Sequence, residues 1–226
     1  MKVEIQIPSD ASEITLQKYQ KFVGLKSDAD NDEFIAHKLI SIFCGIELKN
    51  VRFMKATDVM SIVDTLTTFF NQKHPFINRF ELGGKEFGFI PNLENITMDE
   101  FVQLDVFTPD WSKMHKAMAV MFRPITKTNK QLYEIEEYNS EITYEEVMLH
   151  APLSVVFGAM VFFWTLKSDL LSSTLNFLEK EMKLLTNTTK SNNLTQDGAG
   201  ITLSINSVKA TLEDLKRLEN YTFLNV

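Results

Sequence analysis

The chain has 226 residues, 44% of them hydrophobic and 18 of them phenylalanine, enough apolar material for one sizeable core with appended pieces. A net charge of −7 with no basic run argues against a nucleic-acid partner, which needs clustered Lys and Arg to displace counterions from phosphate. The single cysteine, Cys44, rules out an internal disulfide; set among Ile42, Phe43 and Ile46, it reads as a small buried hydrophobe in a reducing cytoplasm.

At the amino end Val3, Ile5 and Ile7 alternate with Lys2, Glu4 and Gln6, the period of a short strand that Pro8 ends. This stretch lacks the apolar run of a secretory signal, so a cytoplasmic protein is expected. A helix-entry device then occurs three times, as Ile14-Thr15-Leu16, Ile96-Thr97-Met98 and Ile142-Thr143-Tyr144. In each, Thr is placed to cap the helix, and the preceding Ile to staple against Tyr19, Phe101 or Val147. Glu100 and Glu146 stand where they can close a capping box on Thr97 and Thr143; the first site has Lys18 there instead.

After an acidic break over 28–33, Phe34, Lys38, Leu39, Ile42, Phe43 and Ile46 predict a second helix with Gly45 near its end. Asp58, Val59, Ile62, Val63, Leu66, Phe69 and Phe70 predict a third, capped by Thr57 and paired with the second. The acidic break is not a calcium loop, because it has neither the glycine at the sixth position nor the glutamate at the twelfth. Arg79 to Leu82 and Lys85 to Ile90 flank Gly83-Gly84, which can take the positive φ values of a tight hairpin. Thr108-Pro109-Asp110 opens a helix expected to run to about Arg123, with Trp111, Met114, Met118, Val120, Met121 and Phe122 toward the core and Pro124 ending it. Arg123 would then bond the last carbonyls of that helix. Leu132, Tyr133, Ile135 and Tyr138 suggest a strand over 131–138.

Leu153 to Leu166 is apolar or glycine except at Ser154 and Thr165, and Pro152 suits a first helical turn, so 152–166 is expected to be a buried central helix. The run stops at Lys167 and Asp169, short of the roughly 20 residues a membrane span needs. Beyond it Leu171, Leu175, Leu178, Met182 and Leu185 recur at steps of four and three, and Ile205, Val208, Leu212 and Leu215 resume the spacing after a polar link over 187–200. Two matching stripes on either side of a flexible link predict a C-terminal helical hairpin. Residues 167–226 carry seven basic and seven acidic side chains, so the whole negative charge falls before them. The expected fold is mainly α (α+β): a helical acidic body over 1–166 with a short N-terminal strand and a β-hairpin, then a neutral helical tail over 167–226.

No reactive constellation accompanies this pattern. His37, His74, His115 and His150 lie far apart with no second ligand at helical spacing, and no glycine-rich nucleotide loop or nucleophile elbow is present. The expectation is therefore no catalytic, metal or cofactor-binding residue, and hence no enzyme. Glu134, Glu136, Glu137, Glu141, Glu145 and Glu146 could supply a carboxylate pair, which keeps an enzyme as a rival reading; a solvated acidic face is the plainer account. The residues expected to hold a partner are Leu171, Leu175, Leu178, Met182, Ile205, Val208, Leu212 and Leu215.

The opening strand with Ile14-Thr15-Leu16-Gln17-Lys18-Tyr19-Gln20-Lys21-Phe22, the helix ending Ile42-Phe43-Cys44-Gly45-Ile46, the hairpin leading to Ile96-Thr97-Met98-Asp99-Glu100-Phe101, and Met118 to Ile125 together resemble phage tail assembly chaperones or related virion-associated proteins of tailed bacteriophages. The resemblance spans roughly residues 1–165. It implies a non-enzymatic protein of the host cytoplasm, without nucleic-acid or membrane partners, that binds the long helical tape-measure protein while the tail tube assembles. The alternative it leaves open is a structural virion subunit that oligomerises through its C-terminal helices.

Overall fold

The structure is a computed structural model, and it describes residues 5–26, 32–130, 132–141, 143–188 and 204–213. It is 62% helical with one four-stranded antiparallel sheet, mainly α with some β. The described residues up to Ala159 form one compact unit, and those from Met160 onward a second.

In the first unit, helix α1 (Leu16–Lys26) starts as its sequence predicts: the Thr15 hydroxyl accepts from the Lys18 amide at 3.4 Å. Its other free amides find carbonyls far along the chain, Leu16 N–H donating to Ala151 and Gln17 N–H to Leu149, while Leu153 N–H donates back to Ile14. These bonds set the start of the long helix α8 (Leu153–Thr188) beside α1. Helix α2 (Asp32–Phe43) ends before Gly45, whose φ of +69° is the left-handed conformation expected after a helix. It buries Ile35, Leu39, Ile40 and Phe43, a stripe turned about one residue from the predicted one, and Phe34 is exposed. Cys44 is half-buried, with burial pushing its thiol pKa up. A short helix α3 (Leu48–Val51) precedes α4 (Ala56–Phe70), which packs on α2 as predicted. Thr57 is not its cap: the helix begins at Ala56, with Lys55 at the N-cap and no side-chain cap bond.

The predicted hairpin is strands β1 (Arg79–Leu82) and β2 (Lys85–Phe89), joined by Gly83 and Gly84 at φ +59° and +75°. Helix α5 (Met98–Phe107) has the full capping box, Glu100 N–H to the Thr97 hydroxyl at 3.2 Å and Thr97 N–H to the Glu100 carboxylate at 2.7 Å. The next predicted helix is broken up: a 3-10 turn over Trp111–Lys113 leads into α6 (Met114–Met121), and the chain then becomes strand β3 (Phe122–Asn129). Phe122-Arg123-Pro124 is therefore strand, because Phe122 pairs with Phe89 and Pro124 with Phe87 at the edge the hairpin left open. β4 (Leu132–Ile135) continues the meander in the order β1-β2-β3-β4. Residues 5–8, the described part of the expected N-terminal strand, are irregular; a lone alternating segment holds no ladder without a sheet edge to pair with. The third entry device also fails. Tyr144, not Thr143, is the N-cap of the short helix α7 (Glu145–Met148), without a side-chain cap bond; Ile142 lies outside the described residues. Tyr144 is held by tertiary contacts, its ring edge-on to Phe87 and its hydroxyl donating to Glu136.

The first core converges on Phe157 of α8. Its ring lies 5.2 Å from Tyr19, 6.0 Å from Phe70, 6.0 Å from Trp111 and 5.0 Å from His74. Burial beside Phe157 pushes the His74 pKa below 6.5, opposed in part by backbone hydrogen bonds and Asp10. Below about pH 6.5 the unfolded chain therefore binds more protons than the folded one, so stability falls as pH falls. His115 shifts in the same direction. The expected result is a lower urea midpoint at about pH 5 than at about pH 7, with a smaller difference in His74→Gln; an unchanged difference would show that His74 does not titrate with folding.

Helix α8 does not stop at Lys167. With no glycine or proline between Gly158 and Thr188, nothing ends it before Thr188, so the buried run and the predicted seam are one helix. In the second unit a helix over 204–213 lies beside it, tied by Lys209 to Glu179 at 2.9 Å. The expected link over 187–200 lies outside the described residues from 189 on.

Candidate functional site

Two helices carry more apolar surface than their own units cover. In α5 the capping box and one ion pair decide which side faces in: Glu100 is 3% exposed, and its second carboxylate oxygen stands 2.7 Å from Nη1 of Arg123. Arg123 is not at a helix end bonding carbonyls, as predicted, but in β3 opposite Gly88. With Glu100, Leu104 and Thr108 turned inward, Met98, Phe101, Val102 and Val106 are exposed on the outer side. Phe101, expected as a staple, is half exposed.

Arg123 also lines a cleft of about 410 Å³ formed with Lys116 of α6 and the segment from Glu136 to Glu145. Its guanidinium lies over the Tyr138 ring, and the Tyr138 hydroxyl donates to Asp99 at 2.8 Å. The Tyr144 hydroxyl donates to Glu136 at 2.6 Å, and Lys116 faces Glu145 at 3.6 Å. Burial first, then the neighbouring carboxylates, push both tyrosines up to about 12, so at neutral pH they are protonated donors that hold Glu136 and Asp99 in place. Of the glutamates singled out from the sequence, Glu136, Glu137 and Glu145 line this opening, three carboxylates against the two cations Lys116 and Arg123, which favours a positively charged group. Sequence reading missed Arg123, Glu100 and Lys116 as members of this cluster; only β3 pairing brings Arg123 to α5.

The predicted partner-binding residues lie in the second unit. Leu171, Leu175, Leu178 and Met182 are half-buried along α8; Ile205 and Leu212 are buried within the chain and Val208 is half-buried. Leu215 lies outside the described residues. The same helix has another apolar stripe that sequence reading passed over: Leu166, Leu170, Phe177 and Leu184, of which the last three are 65%, 62% and 59% exposed. Leu170, Phe177 and Leu184 are spaced by sevens, with Leu166 four before the first, the register of a coiled-coil seam. The signal was present in the sequence but hidden beside the first stripe one residue away.

Among the described residues no group of three His, Cys, Asp or Glu side chains could hold a metal ion. Among the described residues one helix, α8, is long and apolar enough to cross a membrane by length and composition, and more than half of its most apolar window is buried in the fold. No protein family, no curated protein and no solved structure matches this chain.

Proposed function

We propose that this protein is a non-enzymatic assembly factor that binds helical partners through apolar helix faces left open by its own fold. In this reading it is a tail assembly chaperone of a tailed bacteriophage, working in the host cytoplasm and holding a tape-measure protein soluble. The observation that carries the binding role is α5, which turns a glutamate into the core and leaves Met98, Phe101, Val102 and Val106 outside. An exposed apolar face rimmed by Asp99 and Asp105 suits an amphipathic helix laid along it. The sequence resemblance to phage tail proteins supplies the context.

The test is a pull-down from phage-infected cells with mass spectrometry of the bound fraction and of purified virions. Recovery of a long coiled-coil tail protein, with the bait missing from virions, is expected. Phe101→Ser combined with Val102→Ser should lower that recovery about tenfold while lowering the melting temperature only modestly, since both side chains are about half exposed. Equal recovery by the variant would remove α5 from the reading. The second open face, on α8, favours the alternative of a structural virion subunit joined through its C-terminal helices; stoichiometric presence in virions would select it.

A further inference from the structure

We propose that the open face of α8 is a self-association surface on which two copies of this chain pair antiparallel, with the two-fold axis level with Leu175 and between Ser173 and Phe177. This gives a geometry to the C-terminal contact of the second reading, but it requires neither that reading nor the chaperone role to hold.

The argument is the charge pattern flanking the stripe. With Leu170, Phe177 and Leu184 as one set of seam positions and Leu166, Ser173 and Lys180 as the other, the flanking positions are Lys167, Thr174 and Glu181 on one side and Asp169, Asn176 and Lys183 on the other. Laid antiparallel about Leu175, Leu184 meets the partner's Leu166, Phe177 meets the partner's Ser173, and Leu170 packs on the methylene stem of the partner's Lys180, whose ammonium reaches solvent. In that same alignment Lys167 stands opposite the partner's Glu181, and Asp169 opposite the partner's Lys183. The neutral Thr174 and Asn176 fall at the axis, each against its own copy. Every flanking charge thus meets its opposite, twice over by symmetry.

A parallel pair offers none of this. It sets Lys180 against the partner's Lys180 across the seam, Asp169 toward Thr174 and Asn176 toward Glu181, so no opposite charges face each other. A heterologous helix would have no reason to share this internal mirror of charge; a second copy does. From Leu166 to Leu184 the stripe is about 27 Å long, a short seam, so the pair should form at micromolar or higher concentration rather than as an obligate dimer.

Sedimentation equilibrium of the full chain over a wide concentration range tests the pairing. A concentration-dependent dimer is expected. Lys167→Glu should weaken it about tenfold at low salt, and Lys167→Glu with Glu181→Lys should restore it. Glu181 is exposed, while Lys167 is half-buried with its ammonium over the Phe163 ring, so circular dichroism is used to confirm that each variant is folded. Orientation is read from cysteine cross-links in a Cys44→Ser background: Thr174→Cys should link to itself across the axis, and Leu184→Cys should not. A chain that stays monomeric up to about millimolar concentration, a double reversal that fails to restore the dimer, or self-linking at position 184 would each overturn the proposal. So would binding of the monomer to neutral phosphatidylcholine vesicles that is lost in Phe177→Ser, since a lipid surface would then be the occupant.

Discussion

Arg123→Leu is expected to destabilise the first unit by about 3–5 kcal/mol, read as a drop in the urea midpoint without change of slope. The pair it breaks is nearly sealed, with the side chains of Arg123 and Glu100 only 11% and 4% exposed. Removing the cation leaves a carboxylate in the core whose one remaining cap bond, from Thr97 N–H at 2.7 Å, does not replace the lost charge. The ion pair is itself under-satisfied: Nη1 is off the in-line direction to Glu100, and Nε has no acceptor among the described residues. Replacing both partners should therefore cost much less than removing one. Glu100→Leu with Arg123→Leu is expected to recover part of the stability lost by Arg123→Leu alone, because no buried charge is left over. If the double variant is no better than the single one, the pair does not act as a unit.

A loss of similar size, about 3–5 kcal/mol, is expected for Phe157→Ala. The ring is fully buried where α1, α4, the turn at Trp111 and His74 meet, so its removal leaves a cavity walled by stiff aromatic side chains that collapse poorly. Phe157→Leu keeps most of the volume and should cost less than half as much. At the next residue the problem is the reverse. A Cβ on Gly158 would overlap the Pro75 carbonyl oxygen, a backbone atom that cannot rotate away, so Gly158→Ala should also destabilise in spite of alanine's better helix propensity. Thermal unfolding of the three variants would check this order; a stable Gly158→Ala would mean that the segment around Pro75 yields readily.

Local chemistry made much of this legible beforehand. The caps at Thr15 and Thr97 succeed because all their parts lie within a few residues. The Gly83-Gly84 hairpin succeeds because it needs only two residues at positive φ between alternating strands. Two of the predictions that fail do so because a distant partner competes. Phe122 and Arg123 read as the end of an apolar helix until the free edge of β2 takes Phe122 to Asn129 as a strand. Thr143 has the right neighbours for a cap, yet Tyr144 is anchored by Phe87 and Glu136 instead.

The sequence by itself determined the mainly helical class, the places where chain-local caps and glycines start or turn the chain, and the set of apolar residues available for a core, since these depend on neighbours within a turn or two. Only the tertiary structure decided which stripe of each helix goes inside. α5 shows why: its apolar residues outnumber its buried positions, and the choice falls to the Glu100–Arg123 pair, joined across 23 positions of the chain by a β-ladder that no local pattern encodes. The same holds for α8, where one apolar stripe is half-buried and the other, one residue away, is exposed at Leu170, Phe177 and Leu184.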